Sequence, residues 1–347
     1  VNQKRGIRWN ARKAFLDPAR RRPNLVVLTE CHVRRLMLDG RRVNGILFTR
    51  GGSAFTATAR HEVVLAAGAI GSPQLMELSG IGDPAHLARI GIEPHHALSG
   101  VGENLQDHLQ LRTIFTVTGA RTLNDRAATP WGKAGIALQY ALTQSGPMAM
   151  APSQLGIFTR SGPEHNRANI EYHVQPLSLD AFGQPLHRTP ALTVSVCNLR
   201  PTSRGATHAK APDAAMAPAI QPNYLATEED RKVAAESIRH ARRLMATETM
   251  ARYRPVEVKP GPGDESDAAL AELAGAIGTT IFHPVGTARM GSDADAVVDP
   301  KLKVRGIGGL RVADCSIMPT IVSGNTHAAA VMIGERAAEL VIAAGRG

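Results

Sequence analysis

Apolar and polar positions follow one rhythm at the two ends of the chain and another in the middle. Leu25-Val26-Val27-Leu28 is a short unbroken apolar run and predicts a buried parallel strand. Val33 to Leu38 and Val43 to Phe48 flank Asp39-Gly40, a tight-turn pair, and predict a hairpin. Val63 to Gly68 reads as a strand running into a glycine. Ser72-Pro73 then predicts an N-cap and first-turn proline for a helix over Gln74 to Leu78. Strand, small-residue turn and helix N-terminus in that order let a backbone approach a phosphate or cofactor. From about His108 to Gly278 the pattern alternates, as in Ile170 to Val174 and Leu192 to Val196, between Pro- and Gly-rich connections. Charge and apolar spacing predict a helix over Glu228 to Met245. Near the end, Leu310 to Asp314 predicts a strand ending in a carboxylate, and Thr326 to Ala344 a largely apolar helix. The order implies an α/β unit interrupted by a sheet-plus-helix block, without repeats or clear linkers.

Composition narrows the class. A hydrophobic content of 43% with 20% charged residues is that of a folded globular chain. No apolar run approaches the ~20 residues a membrane-spanning helix needs. Val1 to Lys13 is polar and basic, so no signal peptide is visible. Cys31, Cys197 and Cys315 lie far apart and fit no disulfide framework, which predicts a reducing compartment. The cytoplasm is the expected location, with peripheral attachment to a membrane surface as the alternative. The formal charge of +10 raises the question of nucleic acid. Arg20-Arg21-Arg22, Arg34-Arg35 and Arg41-Arg42 cluster, but only 4% of residues are aromatic, and no base-stacking platform accompanies the arginines. A solvated basic face is expected, without specific nucleic-acid recognition.

Several patterns point nowhere. Gly80-Ile81-Gly82-Asp83-Pro84-Ala85 fits G-x-G-x-x-G/A, but it follows a predicted helix rather than a strand. His61-Glu62 lacks the second histidine of a zinc H-E-x-x-H, since Leu65 stands there, and no G-x-S-x-G elbow exists. The remaining histidines, His95-His96, His173 and His187 among them, have no partners at coordinating spacing, so no metal site is expected.

Other stretches carry more information. Gly68-Ala69-Ile70-Gly71-Ser72-Pro73-Gln74-Leu75-Met76-Glu77-Leu78-Ser79-Gly80-Ile81-Gly82 resembles the second signature of the glucose-methanol-choline (GMC) oxidoreductases. Gly100 to His108 (GVGENLQDH) is similar to the family segment that follows it, and Arg200 to Gly205 (RPTSRG) to the strand opening the family's C-terminal region. His283 to Gly291 (HPVGTARMG) resembles the active-site motif. Leu310 to Pro319, and Ser323-Gly324-Asn325-Thr326-His327 leading to Met332 to Arg336, resemble the flavin-contacting C-terminus. The blocks stand in family order and span nearly the whole chain. The family's N-terminal strand-glycine-helix unit, which holds the ADP half of FAD, has no counterpart, and the opening resembles the interior of a member. At His327 many relatives carry Asn.

The resemblance implies α/β plus α+β: an incomplete, doubly wound FAD-binding domain with an inserted antiparallel-sheet substrate domain. The expected boundaries are residues 1–107 for part of the FAD-binding domain, 108–295 for the substrate domain, and 296–347 for the return to the first. The implied activity is oxidation of an alcohol CH–OH group, most like the alcohol and choline dehydrogenase branch. Histidine titrates near neutrality and suits removal of the hydroxyl proton, while no side chain accepts hydride, so a cofactor must. His283 is assigned as the base and His327 as the group that positions the substrate oxygen. By resemblance Val33 would contact adenine through its backbone. Ala67 and Gly68 would let the backbone approach the cofactor, Asp314 would lie near its ribityl-phosphate region, and Asn325 and Thr326 would meet the flavin at a helix N-terminus. Two alternatives stand beside this reading: a flavin-containing lyase of the same family that cleaves cyanohydrins, and an inactive fragment. Neither the alcohol nor the electron acceptor is specified by these residues.

Overall fold

The computed structural model describes residues 2–151, 153–181, 183–263 and 265–345. The predicted hairpin forms from β1 (Cys31–Asp39) and β2 (Arg42–Arg50), and β3 (Ser53–Thr58) extends it. Gly40 turns the chain at φ +53°, a left-handed position that favours glycine. β4 (Val63–Leu65) leads into α1 (Gly68–Glu77), then α2 (Pro84–Arg89). The middle runs β5 (Leu109–Thr116), α3 (Pro130–Thr143), β6 (Leu155–Thr159), β7 (Ile170–Gln175) and β8 (Ala191–Asn198). The short pair β9 (Ala206–His208) and β10 (Ala219–Gln221) follows, then α4 (Glu228–Met245), β11 (Val256–Lys259), α5 (Asp267–Ile277) and β12 (Gly278–Thr280). β13 (Leu310–Val312) and α6 (His327–Ala344) close the chain.

The chain divides into two compact units, each made of three stretches. The first comprises Val1–Val26, Leu109–Leu199 and Thr227–Ile281, and the second Val27–His108, Arg200–Ala226 and Phe282–Gly347. These limits depart from the expected boundaries. Residues 1–26 belong with the sheet, where Gln3 donates to the Ala149 carbonyl (2.9 Å) and Tyr140 to the Gly6 carbonyl (3.3 Å). Residues 200–226 and 282–295 belong to the second unit. Leu105 and Gly205 exchange backbone bonds of 2.8 and 2.9 Å, and Gln106 and Val285 bonds of 3.0 and 2.9 Å. No local pattern announces pairings between segments so far apart in sequence.

The first unit is built on an antiparallel sheet of order β6-β7-β8-β5-β11, with β12 also paired to β5. Alternation sorts its faces: Tyr172, Val194 and Val196 are buried on one, while Glu171, Thr193 and Ser195 point to the other. α4 packs against β8 and β5 and buries Ala234, Ile238 and Ala241. Its ends follow from its sequence. Thr227 caps Asp230 N (3.3 Å), three acids fill the first turn, and Arg242 and Arg243 stand in the last, matching the helix dipole. Such a cap contributes roughly 1 kcal/mol.

In the second unit Leu36, Met76, Val101, Val285, Val298 and Val312 form the centre of one apolar core. β13 pairs with β4 in parallel, from Leu310 opposite Val63 to Val312 opposite Leu65. Between these strands' outer residues, Arg311 is fully buried and donates to Glu62 (2.7 Å) and to the Lys301 carbonyl (2.5 Å).

Two local expectations are corrected. Leu25 to Leu28 is not a strand, and Val26 and Leu28 are 78% and 53% exposed. A strand requires a hydrogen-bonding neighbour, and among the described residues none pairs with this segment. Ser72-Pro73 does not open a helix either, because α1 begins at Gly68 and Pro73 lies inside it. Proline has no N–H for the carbonyl four residues back. That carbonyl, on Ala69, accepts the Thr287 hydroxyl at 2.5 Å instead. Ser72 is thereby freed from capping, and its Oγ donates to Asp314 (2.5 Å) and accepts from Ala67 N (3.1 Å).

Candidate active site

The site grows from the loop that ends at His108. Asp107 Oδ1 accepts the backbone amides of both His108 and His283 at 2.9 Å, and its Oδ2 accepts the Tyr224 hydroxyl at 2.5 Å. One carboxylate therefore holds two histidine-bearing segments side by side. The rings meet as a result: His108 Nδ1 lies 3.0 Å from His283 Nδ1, with the planes at 83°. His108 is 0% exposed and His283 8%. On its far side, His283 Nε2 lies 3.5 Å from the Asn325 amide nitrogen. With that amide as donor, Nε2 carries the lone pair and the ring proton sits on Nδ1, donated to His108. This is the tautomer in which Nε2 can take up a proton.

The surrounding backbone explains the placement. Gln106 accepts from Ile321 N (3.1 Å) and donates to the Pro319 carbonyl (3.1 Å), so the segment leading to Asn325 is tied to the same loop. Gly286 N and Ala288 N donate to the carbonyls of Cys315 and Ser316. Gly286 has φ +94°, and a Cβ there would lie 2.5 Å from the Asn104 carbonyl, so only glycine closes this packing.

Beyond Cys315 and Ser316, Asp314 forms a second focus. Its Oδ2 accepts Gly68 N (3.0 Å) and Ser72 Oγ, and its Oδ1 accepts Ser316 N (2.8 Å). Asp314 thus fixes the turn that carries Ala67 and Gly68. Gly68 has φ +80°, and among the described residues beyond its chain neighbours and helix backbone no atom lies within 4 Å of where a Cβ would stand, so the backbone is open to close approach. Burial holds the Cys315 thiol above its usual range, with Asp314 adding to the effect, so Cys315 is not a thiolate. Val33 stands on β1, which packs against α1. Thr326 is buried at the N-cap of α6 without a side-chain cap bond, and the first turn holds no acid. His327 is the first residue of α6 and is exposed, two positions after Asn325.

Five of the eight predicted residues thus fall into two groups: His283 with Asn325, and Ala67, Gly68 and Asp314. His108, Asp107 and Tyr224 were not singled out from sequence. His108 and Asp107 lie within the quoted GVGENLQDH segment, and a histidine at its end was the available signal. Tyr224 offered none.

Comparison with known proteins gives the arrangement a family. The N-terminal GMC oxidoreductase pattern matches residues 1–110 and the C-terminal one residues 201–334. The chain belongs to the GMC oxidoreductase family. It is 37% identical over 346 residues to the alcohol dehydrogenase (acceptor) of Pseudomonas putida. It is also 37% identical over 340 residues to an oxygen-dependent choline dehydrogenase of Serratia proteamaculans. These alignments cover 99% and 97% of the chain, but 62% and 61% of the relatives. Among solved structures, pyridoxine 4-oxidase from Mesorbium loti superposes with TM-score 0.84 at 29% identity. Formate oxidase from Aspergillus oryzae does so with TM-score 0.87 at 27%. The two cover 98% and 94% of the chain, which spans 62% of each. Both pattern matches draw on the second compact unit, where the paired histidines and the Asp314 turn lie.

Proposed function

We propose that this chain carries the catalytic part of an FAD-dependent oxidoreductase that oxidises an alcohol CH–OH group, with His283 as the base. The observation that carries the reading is the His283 ring, buried and backed at Nδ1 by His108, with Nε2 turned toward Asn325. Bound flavin would supply the two-electron acceptor for the hydrogen that leaves carbon as hydride.

The chain's own residues do the rest. His283 Nε2 takes the hydroxyl proton, and His108 accepts the hydrogen bond from Nδ1, which supports the imidazolium that forms. Asp107 keeps both rings in register through their backbone amides. Asn325 and His327, at the entry to α6, hydrogen-bond the substrate oxygen and orient the carbon. The residues present fit a flavin in two respects. The turn at Ala67–Gly68 is open to close approach, and the first turn of α6 offers uncapped amides with the positive dipole end toward a developing negative charge. Val33 and Asp314 would complete the contacts to the cofactor, Val33 through its backbone.

The test is the rate of anaerobic flavin reduction by primary alcohols in full-length protein loaded with FAD. His283→Ala is expected to lower that rate by about 10²–10⁴-fold, the usual worth of a positioned base. His327→Asn is expected to be milder, because an amide still donates to the oxygen. Rates unchanged in His283→Ala reject the assignment. A protein that cleaves a cyanohydrin without bleaching its flavin rejects the oxidoreductase reading altogether.

A further inference from the structure

In the second unit, away from the paired histidines, the C-terminal end of α1 meets α2 and β9. Glu77 closes α1 and is 0% exposed, His86 is on α2, and His208 closes β9. His208 Nδ1 lies 2.6 Å from Glu77 Oε1, and its Nε2 lies 3.0 Å from Glu103 Oε1. The second Glu77 oxygen accepts Ala209 N at 2.6 Å. The His86 and His208 rings stand 4.8 Å apart between centroids. His86 Nε2 is completely buried, lies 3.9 Å from Glu77 Oε1, and has no hydrogen-bond partner among the described residues. Gly102, at φ +85°, leaves room for the His208 ring, which would lie 2.8 Å from a Cβ at that position.

Hydrogen bonding alone accounts for Glu77, His208 and Glu103. It does not account for His86, whose buried nitrogen faces the same carboxylate beyond hydrogen-bond reach. A buried polar atom without a partner costs about 1–3 kcal/mol. The three ligand atoms lie within 4.8 Å of one another. Tetrahedral zinc, with Zn–N and Zn–O distances of about 2.0–2.2 Å, needs donors roughly 3.3–3.6 Å apart. The 3.9 Å gap is close to that value, and the 2.6 Å contact is closed by a proton that a metal ion would replace.

We propose that Glu77, His86 and His208 form a binding site for a divalent transition metal ion, with zinc the best match. Two imidazoles and one carboxylate are the N₂O donor set that zinc takes when one coordination position stays open. The outer contacts suit the role. His208 would ligate through Nδ1 while Nε2–H donates to Glu103, the carboxylate–histidine–metal arrangement that fixes a ligating ring. Ala209 N holds the free oxygen of Glu77 in place. One contact opposes binding: Arg89 Nη2 donates to His86 Nδ1 at 2.9 Å, which places the ring proton on Nε2. A metal at Nε2 needs that proton moved to Nδ1 and the exposed Arg89 side chain swung into solvent. Such an ion would join α1, α2 and β9, and α1 carries the Gly68–Asp314 turn at its other end.

The experiment uses the untagged 347-residue chain, freed of metal by a chelator and titrated with Zn²⁺. Uptake of one equivalent is expected, with a rise in Tm that the chelator reverses. His86→Ala should weaken binding by more than about 100-fold, beyond the 10–100-fold effect usual for a supporting residue. His165→Ala, in a separate Glu164–His165–Glu236 cluster, should leave it unchanged. No uptake by the wild-type chain, or equal uptake by His86→Ala, overturns the proposal. Should His86→Ala fail to fold, Arg89→Ala decides. Tighter zinc binding supports the site, and unchanged or weaker binding overturns it.

Discussion

His108 shows how a side chain acts through a neighbour. Its Nδ1 faces His283 Nδ1 at 3.0 Å and its ring is fully buried, so under the proposed function it positions the base. His108→Phe keeps the volume but removes the acceptor for the His283 proton. In full-length protein with FAD, the acidic limb of the pH–rate profile should move, and the rate loss should stay below the about 10²–10⁴-fold of His283→Ala. An unmoved limb would show that His108 only fills space. In the first unit a different histidine couples stability to pH. Half-buried His240 lies 2.8 Å from the Tyr172 hydroxyl, and burial, then the nearby Arg243 charge, holds it below the usual histidine range. The unfolded chain therefore binds the proton more readily. The contribution is fully present above about pH 6.5, the ordinary histidine value, and is lost as pH falls through the lower folded value. Urea midpoints should drop more steeply on acidification for wild type than for His240→Gln, and parallel slopes would refute the linkage.

At the scale of elements, α1 owes its continuity to a contact outside itself. Pro73 leaves the Ala69 carbonyl without its helical donor, and Thr287 supplies one at 2.5 Å. Thr287→Val should cost about 1–3 kcal/mol, since the carbonyl is left buried and unsatisfied. Pro73→Ala restores an N–H in reach of Ala69. The double variant should therefore lose less than the sum of the two single changes, in a cycle of denaturant midpoints. Simple additivity would mean that the hydroxyl and the proline do not share this carbonyl. The same helix joins the Asp314 turn at its start to Glu77 at its end, so its placement governs both.

For the whole molecule, the chain belongs to the GMC oxidoreductase family and spans 61–62% of the length of the relatives quoted above. These 347 residues contain no strand followed by G-x-G-x-x-G opening a helix, the unit whose amides hold a pyrophosphate. The 347-residue chain on its own is expected to bind FAD weakly, even though the turn at Gly68 and the start of α6 suit a flavin. Equilibrium dialysis against FAD measures this, and purification of the chain with a stoichiometric yellow flavin would contradict it. No helix among the described residues is long and apolar enough to cross a membrane.

Sequence alone determined what short-range periodicity and ordered motifs encode. The β1–β2 hairpin, the strands Ile170–Gln175 and Ala191–Asn198, and α4 and α6 were legible because each repeats its pattern within one element. His283 and Asn325 sit inside motifs read in family order, and the structure brings their side chains to 3.5 Å of each other. Tertiary structure decided the rest. Leu25 to Leu28 has the composition of a buried strand, but pairing is a property of a neighbour, and none is present among the described residues. Pro73 reads locally as a helix start and lies in a helix interior, because Thr287, far along the chain, satisfies the carbonyl it orphans. His108 faces His283, and His86 faces Glu77 beside His208, through backbone pairings such as Gln106 with Val285 and Thr207 N with Gly102 O. Those pairings depend on which distant segments bury their apolar faces together, and spacing along the chain carries no record of that.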